Sequence, residues 1–284
     1  MSIRIKLSGG LGNQMFQFAA GYAVARKNNV ELSLDLKRFN HRSDHDGFHL
    51  QNVFDIYSKV SFLNNPINFQ LINFKEILNK INISYHKFKE PHFHYTHKML
   101  NIPKHSLLNG YWQSELYFKS YSKEIRKIFN FRNKLDKKNL LIANDIDKNN
   151  SISIHIRRGD YLLKKNNNLY TDLSEYYIKA IQDSAKYFNN PKFFIFTDDP
   201  LWVSDNFNID FSHTFVNVND GAKSFLDMHL MSLCKANIIA NSSFSWWGAW
   251  LNSNRNKIIY TPKNWFNDKS ICTDDLIPNS WKII

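Results

Sequence analysis

Cysteine is scarce in this chain of 284 residues: there are two, Cys234 and Cys272. Two thiols exclude a disulfide-built scaffold, and without a CxxC spacing they exclude a thiolate zinc site. Glycine and proline are also few, 9 and 7, which excludes collagen-like and Pro/Gly-rich disordered architectures. There is no uninterrupted apolar run of about 18 residues, so no membrane-spanning helix is expected. The start, Met1-Ser2-Ile3-Arg4-Ile5-Lys6-Leu7, alternates apolar and charged residues and lacks the apolar core of a secretion signal. A soluble protein of a reducing cytosol is the expectation. Negative charge is short as well: 25 Asp+Glu against 37 Lys+Arg leave a formal net charge of +12. That balance suits a phosphorylated ligand, an anionic membrane face or nucleic acid. It equally suits lysines scattered over a surface by a Lys/Asn-rich, AT-biased genome. The lysines are spread along the chain, and no tract reaches the roughly 4–8 clustered Lys/Arg of a lipid-binding segment. A nucleic-acid partner is not expected.

What is present is a globular composition, 43% hydrophobic and 22% charged. Ile3–Leu7 reads as a strand. It runs into Ser8-Gly9-Gly10-Leu11-Gly12 and then a helix from Gln14 to about Lys27, with Met15, Phe18, Ala19, Tyr22 and Ala23 on one stripe. A second strand, Val30–Leu36, ends near Asp35. Residues 40–150 are Lys-, Asn- and aromatic-rich with mixed periodicity; Lys123–Phe129 reads as helical, and Lys134–Asn150 as a helix end plus linker. The alternation then resumes. Strands are expected at Ser151–Ile156, Lys192–Thr197, His213–Val218, Asn237–Ala240 and Lys257–Thr261. Helices are expected at Leu173–Phe188 and Lys223–Cys234, with another starting at Trp246. This rhythm predicts an α/β fold with parallel strands and helices on both faces, in two Rossmann-like halves split near 145–150, that is 1–147 and 148–284. Ligands of such sheets bind beyond the carboxyl ends of the strands.

Three strand-end motifs carry the chemistry. In the first, Gly9-Gly10-Leu11-Gly12-Asn13-Gln14, glycines between strand and helix allow close backbone approach, and the helix start offers free N–H groups. It narrowly misses a dinucleotide fingerprint, because Met15 holds the third glycine position, although Asp35 sits where a ribose-binding acid belongs. A tight turn with helix packing explains it equally. The second is His155-Ile156-Arg157-Arg158-Gly159-Asp160-Tyr161. An arginine at a strand end needs a partner; Arg157 can fork onto a diphosphate, or Arg157 or Arg158 can pair with Asp160. The third joins Asp227, inside a largely apolar helix, to Ser242-Ser243-Phe244-Ser245 at another helix start. A buried carboxylate there must have partners, and its two oxygens suit the N1–H and 2-amino donors of a guanine edge. Clustered serines at a helix start suit phosphate, or ordinary N-capping. Thr197-Asp198-Asp199-Pro200 reads as an N-cap before Pro200 at least as readily as a direct part of the site.

Taken in order, GGLGNQMFQFAAGYAVA, HIRRGDY, FTDDP and NSSFSWWGAWLN resemble the bacterial α-1,2-fucosyltransferases of glycosyltransferase family 11. The resemblance covers nearly the whole chain and is loose over residues 40–145. It implies a GT-B fold, an acceptor-side domain facing a GDP-sugar-binding domain across a cleft. It implies inverting, metal-independent transfer of L-fucose from GDP-β-L-fucose to a galactoside 2-hydroxyl, with no cofactor. By resemblance Arg157 grips the β-phosphate, His155 lies by the nucleoside and Asp227 binds guanine. Ser243 or Ser245 contacts phosphate, Gly10 and Phe244 belong to the donor-binding set, and Asn13 faces the reacting sugar across the cleft. Asp160 is the one nearby candidate base. Acceptors of such enzymes include lipid-linked O-antigen units at the inner face of the bacterial inner membrane, so peripheral membrane contact is also implied. Two D-x-D strings, Asp44-His45-Asp46 and Asp145-Ile146-Asp147, and the histidines 41, 45, 49, 92, 94 and 97 read as surface rather than as a metal site. Two other classes remain: a nicotinamide-dependent oxidoreductase using Gly10, Gly12 and Asp35, and a basic RNA- or glycan-binding protein.

Overall fold

A computed structural model describes residues 1–40, 47–56, 59–63, 85–162 and 171–284. The chain divides into two compact units, Met1–Asn130 and Phe131–Ile284.

The first unit is a five-stranded parallel sheet in the order β3-β2-β1-β5-β4. Strand β1 is Ser2–Lys6, helix α1 Leu11–Asn28 and β2 Glu31–Asp35; a short helix α2 covers Leu50–Val53. Strands β3 (Val60–Leu63), β4 (His86–Lys89) and β5 (Ser106–Asn109) lie in the stretch whose periodicity could not be read, and helix α3 is Ser122–Ile128. The single stripe expected on α1 is not what forms. Leu11, Gly12 and every residue from Gln14 to Ala25 are buried, so the helix is enclosed on all faces rather than amphipathic. Phe18 packs on Phe129 with ring centroids 5.5 Å apart, and Phe129 on Phe54 at 4.9 Å, which closes the core around it.

The second unit opens with α4 (Lys137–Lys148) and β6 (Asn150–Ile156), then α5 (Ser174–Ala185) and β7 (Pro191–Thr197). It continues with α6 (Pro200–Asn206), β8 (His213–Val216), α7 (Phe225–Leu233) and β9 (Ala236–Ile238). Helix α8 (Ser243–Leu251) and strands β10 (Ile258–Thr261) and β11 (Lys282–Ile283) complete it. The strand order is β11-β10-β9-β6-β7-β8, all parallel. Chain order therefore reverses between β6 and β9, the switch point where doubly wound sheets open a crevice at their carboxyl edge. Ile152, Ile154, Phe193, Ile195, Ala236 and Ile238 interleave in the core of this sheet.

The unit boundary falls at 130/131, not at 147/148. Lys134–Asn150 is not a linker: Asp136 caps α4, accepting from Asn139 N, and Ile146 is buried. The polar residues that mimic a linker lie on that helix's outer turns. The Asp145-Ile146-Asp147 string is likewise helix rather than loop, with Asp145 paired to Lys192 at 2.6 Å.

Candidate functional site

The second unit gathers its polar residues at the switch point. Strand β6 ends at Ile156, and Arg157 leaves it opposite the start of the turn that follows β7. The parallel register sets Ile156 against Thr197, so the next residues, Arg157 and Asp198, are neighbours. Arg157 Nη1 lies 3.0 Å from Asp198 Oδ2, and its guanidinium stands 5.6 Å from the Tyr161 ring. The other oxygen, Asp198 Oδ1, accepts from Arg158 N–H at 2.9 Å. Arg158 turns away: its Nε meets Asp199 at 3.3 Å, and its guanidinium lies 3.4 Å over Trp202. Both arginines thus have carboxylate partners. These are Asp198 and Asp199, which the pairing of β6 with β7 brings to the end of β6. The side chain of Asp160 lies outside the described residues. Asp199 also caps α6, accepting from Trp202 N–H, with Pro200 in the first turn, as expected of a cap. Asp198, which the sequence leaves open between a cap and a direct part of the site, is the partner of Arg157.

Gly159 has a steric reason. A Cβ there would sit 2.4 Å from Asp198 Oδ2, so any side chain displaces the carboxylate that orients Arg157.

His155, one residue back inside β6, is buried, and its Nδ1 has no hydrogen-bond partner. Burial, and secondarily the Arg157 charge, push its pKa down to about 3, so the imidazole is neutral at physiological pH. Its ring packs 5.7 Å from Phe244 in the first turn of α8. That contact joins the end of β6 to the start of α8, and Tyr161 Oη, donating to Asn241 O at 3.0 Å, makes a second tie.

The start of α8 is built from the serines. Ser242 is the N-cap, accepting from Phe244 N–H, so the helix begins three positions before Trp246, where apolar pattern alone set it. The Ser245 hydroxyl is buried and donates to the carbonyls of Ser242 and Ala240 at 3.3 and 3.5 Å. It stabilises the turn. Ser243 is half-buried, and its hydroxyl has no protein partner among the described residues. Of the candidate serines it is the one left for a ligand, beside the positive end of the helix dipole.

Asp227 lies in the first turn of α7, on the edge of the sheet from which helices after β8 set out. It is buried, and Asn219 Nδ2 donates to its Oδ1 at 2.7 Å. Burial pushes its pKa up to about 7, against the lowering effect of that hydrogen bond. One oxygen is satisfied; the other has no protein donor among the described residues. His229, two residues on, stacks on Phe131 with centroids 4.2 Å apart, and burial lowers its pKa.

In the first unit, Gly10 is the N-cap of α1 without a side-chain cap. Asn13 Oδ1 accepts from Gln113 Nε2 at 2.7 Å. Gly9 has φ +74°, and a Cβ on it would stand 2.7 Å from Asn13 Nδ2. Gln14 and Gln17 are fully used: Gln14 bonds Gly9 O, Gly47 O and His49 N–H, and Gln17 bonds Ser8 and Gly110 O. Met15, at the third fingerprint position, is buried, and Asp35 Oδ1 accepts from Lys37 N–H. The glycine turn is thus a packing device with one amide, Asn13, at its rim.

Among the described residues no group of three or more His, Cys, Asp or Glu is placed to hold a metal ion, and no helix is long and apolar enough to cross a membrane. His92 and His94 stack on each other at 3.5 Å; residues 41–46, with the other D-x-D string, lie outside the described residues.

The model of Glycosyl transferase family 11 matches residues 2–284. An α-1,2-colitosyltransferase of Escherichia coli is 38% identical over 294 residues, spanning 99% of this chain and 98% of that protein. The O-antigen biosynthesis glycosyltransferase WbnK of Escherichia coli is 32% identical over 305 residues, 95% of this chain and 97% of that protein. Among solved structures, the α-1,6-fucosyltransferase NodZ from Bradyrhizobium, co-crystallised with GDP, matches at TM-score 0.54 and 13% identity, over 87% of this chain and 91% of that one. A mutant of Arabidopsis thaliana FUT1 in complex with GDP matches at TM-score 0.54 and 11% identity, over 99% of this chain and 76% of that one. At those identities the two structures share a fold with this chain.

Proposed function

We propose, from the premise that this chain belongs to glycosyltransferase family 11 and is a glycosyltransferase, that it moves a 6-deoxy-L-hexosyl group from a GDP donor. The acceptor is the 2-hydroxyl of a galactoside in a surface glycan such as an O-antigen unit, with inversion to an α-1,2 linkage. The carrying observation is that Arg157 and the start of α8, with its unpaired Ser243 hydroxyl, occupy the β6/β9 switch point of one parallel sheet.

The chemistry asks for those groups. The sugar C1–O bond to the β-phosphate breaks, and its electron pair leaves with GDP. The acceptor oxygen adds to C1 from the opposite face as oxocarbenium character develops. Negative charge grows on the diphosphate, and only groups that meet that charge lower the barrier. Arg157 supplies a guanidinium fork, held in place by Asp198 and Tyr161. Ser243 and the N–H groups of α8 supply donors and the helix dipole. Asp227 takes the guanine N1–H and 2-amino group on its free oxygen, and the neutral His155 and Phe244 lie by the nucleoside. On the GT-B reading, Asn13 of the first unit is assigned to the reacting sugar and Gly10 to the donor. The acceptor proton passes to Asp160 or to water. On this reading Arg157 and the start of α8, rather than a metal ion, meet the charge that grows on the diphosphate.

The donor sugar has two readings. The strand-end motifs favour L-fucose; the 38% identical colitosyltransferase favours colitose, which is L-fucose without its 3-hydroxyl. Purified protein is given GDP-fucose and GDP-colitose in turn, with a panel of β-galactosides and linkage analysis of the product. Transfer from either donor to O2 supports the proposal and names the sugar. Transfer only from a UDP-sugar, or to another hydroxyl, overturns it. Flotation with anionic liposomes tests the membrane contact, which fails if all enzyme stays in the soluble fraction.

A further inference from the structure

The Asp227 carboxylate ends a hydrogen-bonded chain that begins on another helix. Asp136, the N-cap of α4, accepts at Oδ1 from both the backbone N–H and the Nδ2 of Asn139, at 3.0 and 2.9 Å. Asn139 is buried and forms a reciprocal amide pair with Asn219. Asn139 Nδ2 donates to Asn219 Oδ1 at 2.9 Å, and Asn219 Nδ2 donates to Asn139 Oδ1 at 2.7 Å. The same Asn219 Nδ2 donates to Asp227 Oδ1 at 2.7 Å.

An amide nitrogen carries two hydrogens. Those of Asn139 go to Asp136 and Asn219; those of Asn219 go to Asn139 and Asp227. Neither amide can turn over. A reversed Asn219 would set its carbonyl against the Asp227 carboxylate and break the pair with Asn139. Asp227 therefore has one oxygen fixed by the protein and one left over.

We infer that Asn219, locked by Asn139 and Asp136, is the positioning residue for Asp227: it occupies Oδ1 and aims the second oxygen at the paired N–H donors of a guanine base. The inference rests on the assignment of Asp227 to the base made above. Asn219 touches the carboxylate rather than the nucleotide, and it acts by orientation and by keeping the carboxylate ionised. Two causes act on the Asp227 proton, burial that raises the pKa and the Asn219 N–H that lowers it. The titratable groups on the elements packed against α7 are Asp136, drawn down first by the Asn139 donors and less by Lys223, the α4 residues Lys137, Lys138, Asp145, Asp147 and Lys148, Asp220 and Lys223 just before α7, and His229 on α7 itself, whose pKa burial lowers. Helix α8 carries none.

The test is GDP affinity by calorimetry between pH 6 and pH 9, on the full chain, for wild type, Asp227→Ala, Asn219→Ala and Asn139→Ala. Folding of each variant is checked by thermal melting. Wild-type affinity is expected to fall about tenfold per pH unit below pH ~7. Asn219→Ala is expected to bind about tenfold more weakly at pH 7, with the break displaced upward and the loss largely recovered at pH 9. Asn139→Ala, which cuts the chain one step earlier, shifts the break the same way by less, and it stands in if Asn219→Ala does not fold. Equal loss at pH 7 and pH 9, or a profile identical to wild type, overturns the positioning role. If Asp227→Ala binds GDP as wild type does, the assignment of Asp227 fails first and the inference falls with it.

Discussion

Each unit starts a helix at a carboxyl strand edge, but the two turns treat their polar groups differently. Around Gly9–Gln17 the protein uses almost everything it has. Gln14 and Gln17 tie the turn to Gly47, His49 and Gly110, Asp35 closes its own turn, and Asn13 is held by Gln113. At the β6/β9 edge the accounts are left open. Among the described residues the Ser243 hydroxyl, the second Asp227 oxygen and His155 Nδ1 have no protein partner. A buried polar group without a partner costs about 1–3 kcal/mol; His155 Nδ1 is buried in that way, while the half-buried Ser243 hydroxyl stays open to a ligand. The first turn is built mainly as scaffold; the second is the candidate site.

The largest expected effect falls on the open edge. Arg157→Ala should lower the transfer rate constant by about 10²–10³, measured with saturating donor, while the melting temperature moves little. Gly159→Ala tests the same edge indirectly. Its Cβ would meet Asp198 Oδ2 at 2.4 Å, so Arg157 loses its anchor, and a loss of about tenfold or more is expected. Wild-type turnover in that variant would show that the Asp198 pair does not orient the arginine. The closed turn should answer in stability instead. Gln17→Leu strips partners from Ser8 and Gly110 and should cost about 2–4 kcal/mol in denaturant unfolding, with GDP affinity unchanged. A selective loss of GDP binding there would erase the contrast between the two turns. The most gradual effect is a pH slope. Asp227 has a pKa of about 7 in the folded chain, above the roughly 3.9 of an unfolded aspartate. The folded state thus binds more protons between those values. This group's contribution is fully present below pH ~4 and is lost as pH rises through about 7. Asp227→Asn should flatten that part of the stability curve.

The sequence showed the strand–glycine–helix opening, the α/β alternation of the second half and the two polar turns, because each is written in consecutive residues. Arg157, Ser243 and Asp227 stand in those consecutive motifs as candidates. Asp198 was visible as a residue but not as Arg157's partner. The pair depends on Ile156 standing opposite Thr197, and register between strands separated by a helix has no local mark. Asn219 was missed for a related reason, since it belongs to an irregular stretch after β8 and gains meaning only against Asn139 across the fold. Helix α4 reads in sequence as a helix end plus linker because its buried residues are few, Asn139 and Ile146, and one of those is polar. Strands β3 to β5 are four residues each, too short for alternation to register among lysines and aromatics.

Whether protein groups alone carry the departing diphosphate is tested most directly by the single-turnover rate with GDP-fucose or GDP-colitose, measured before and after exhaustive chelation. An unchanged rate in the wild type, with the Arg157→Ala defect still present, is the expected result. A rate that collapses on chelation and returns with a divalent cation would contradict it.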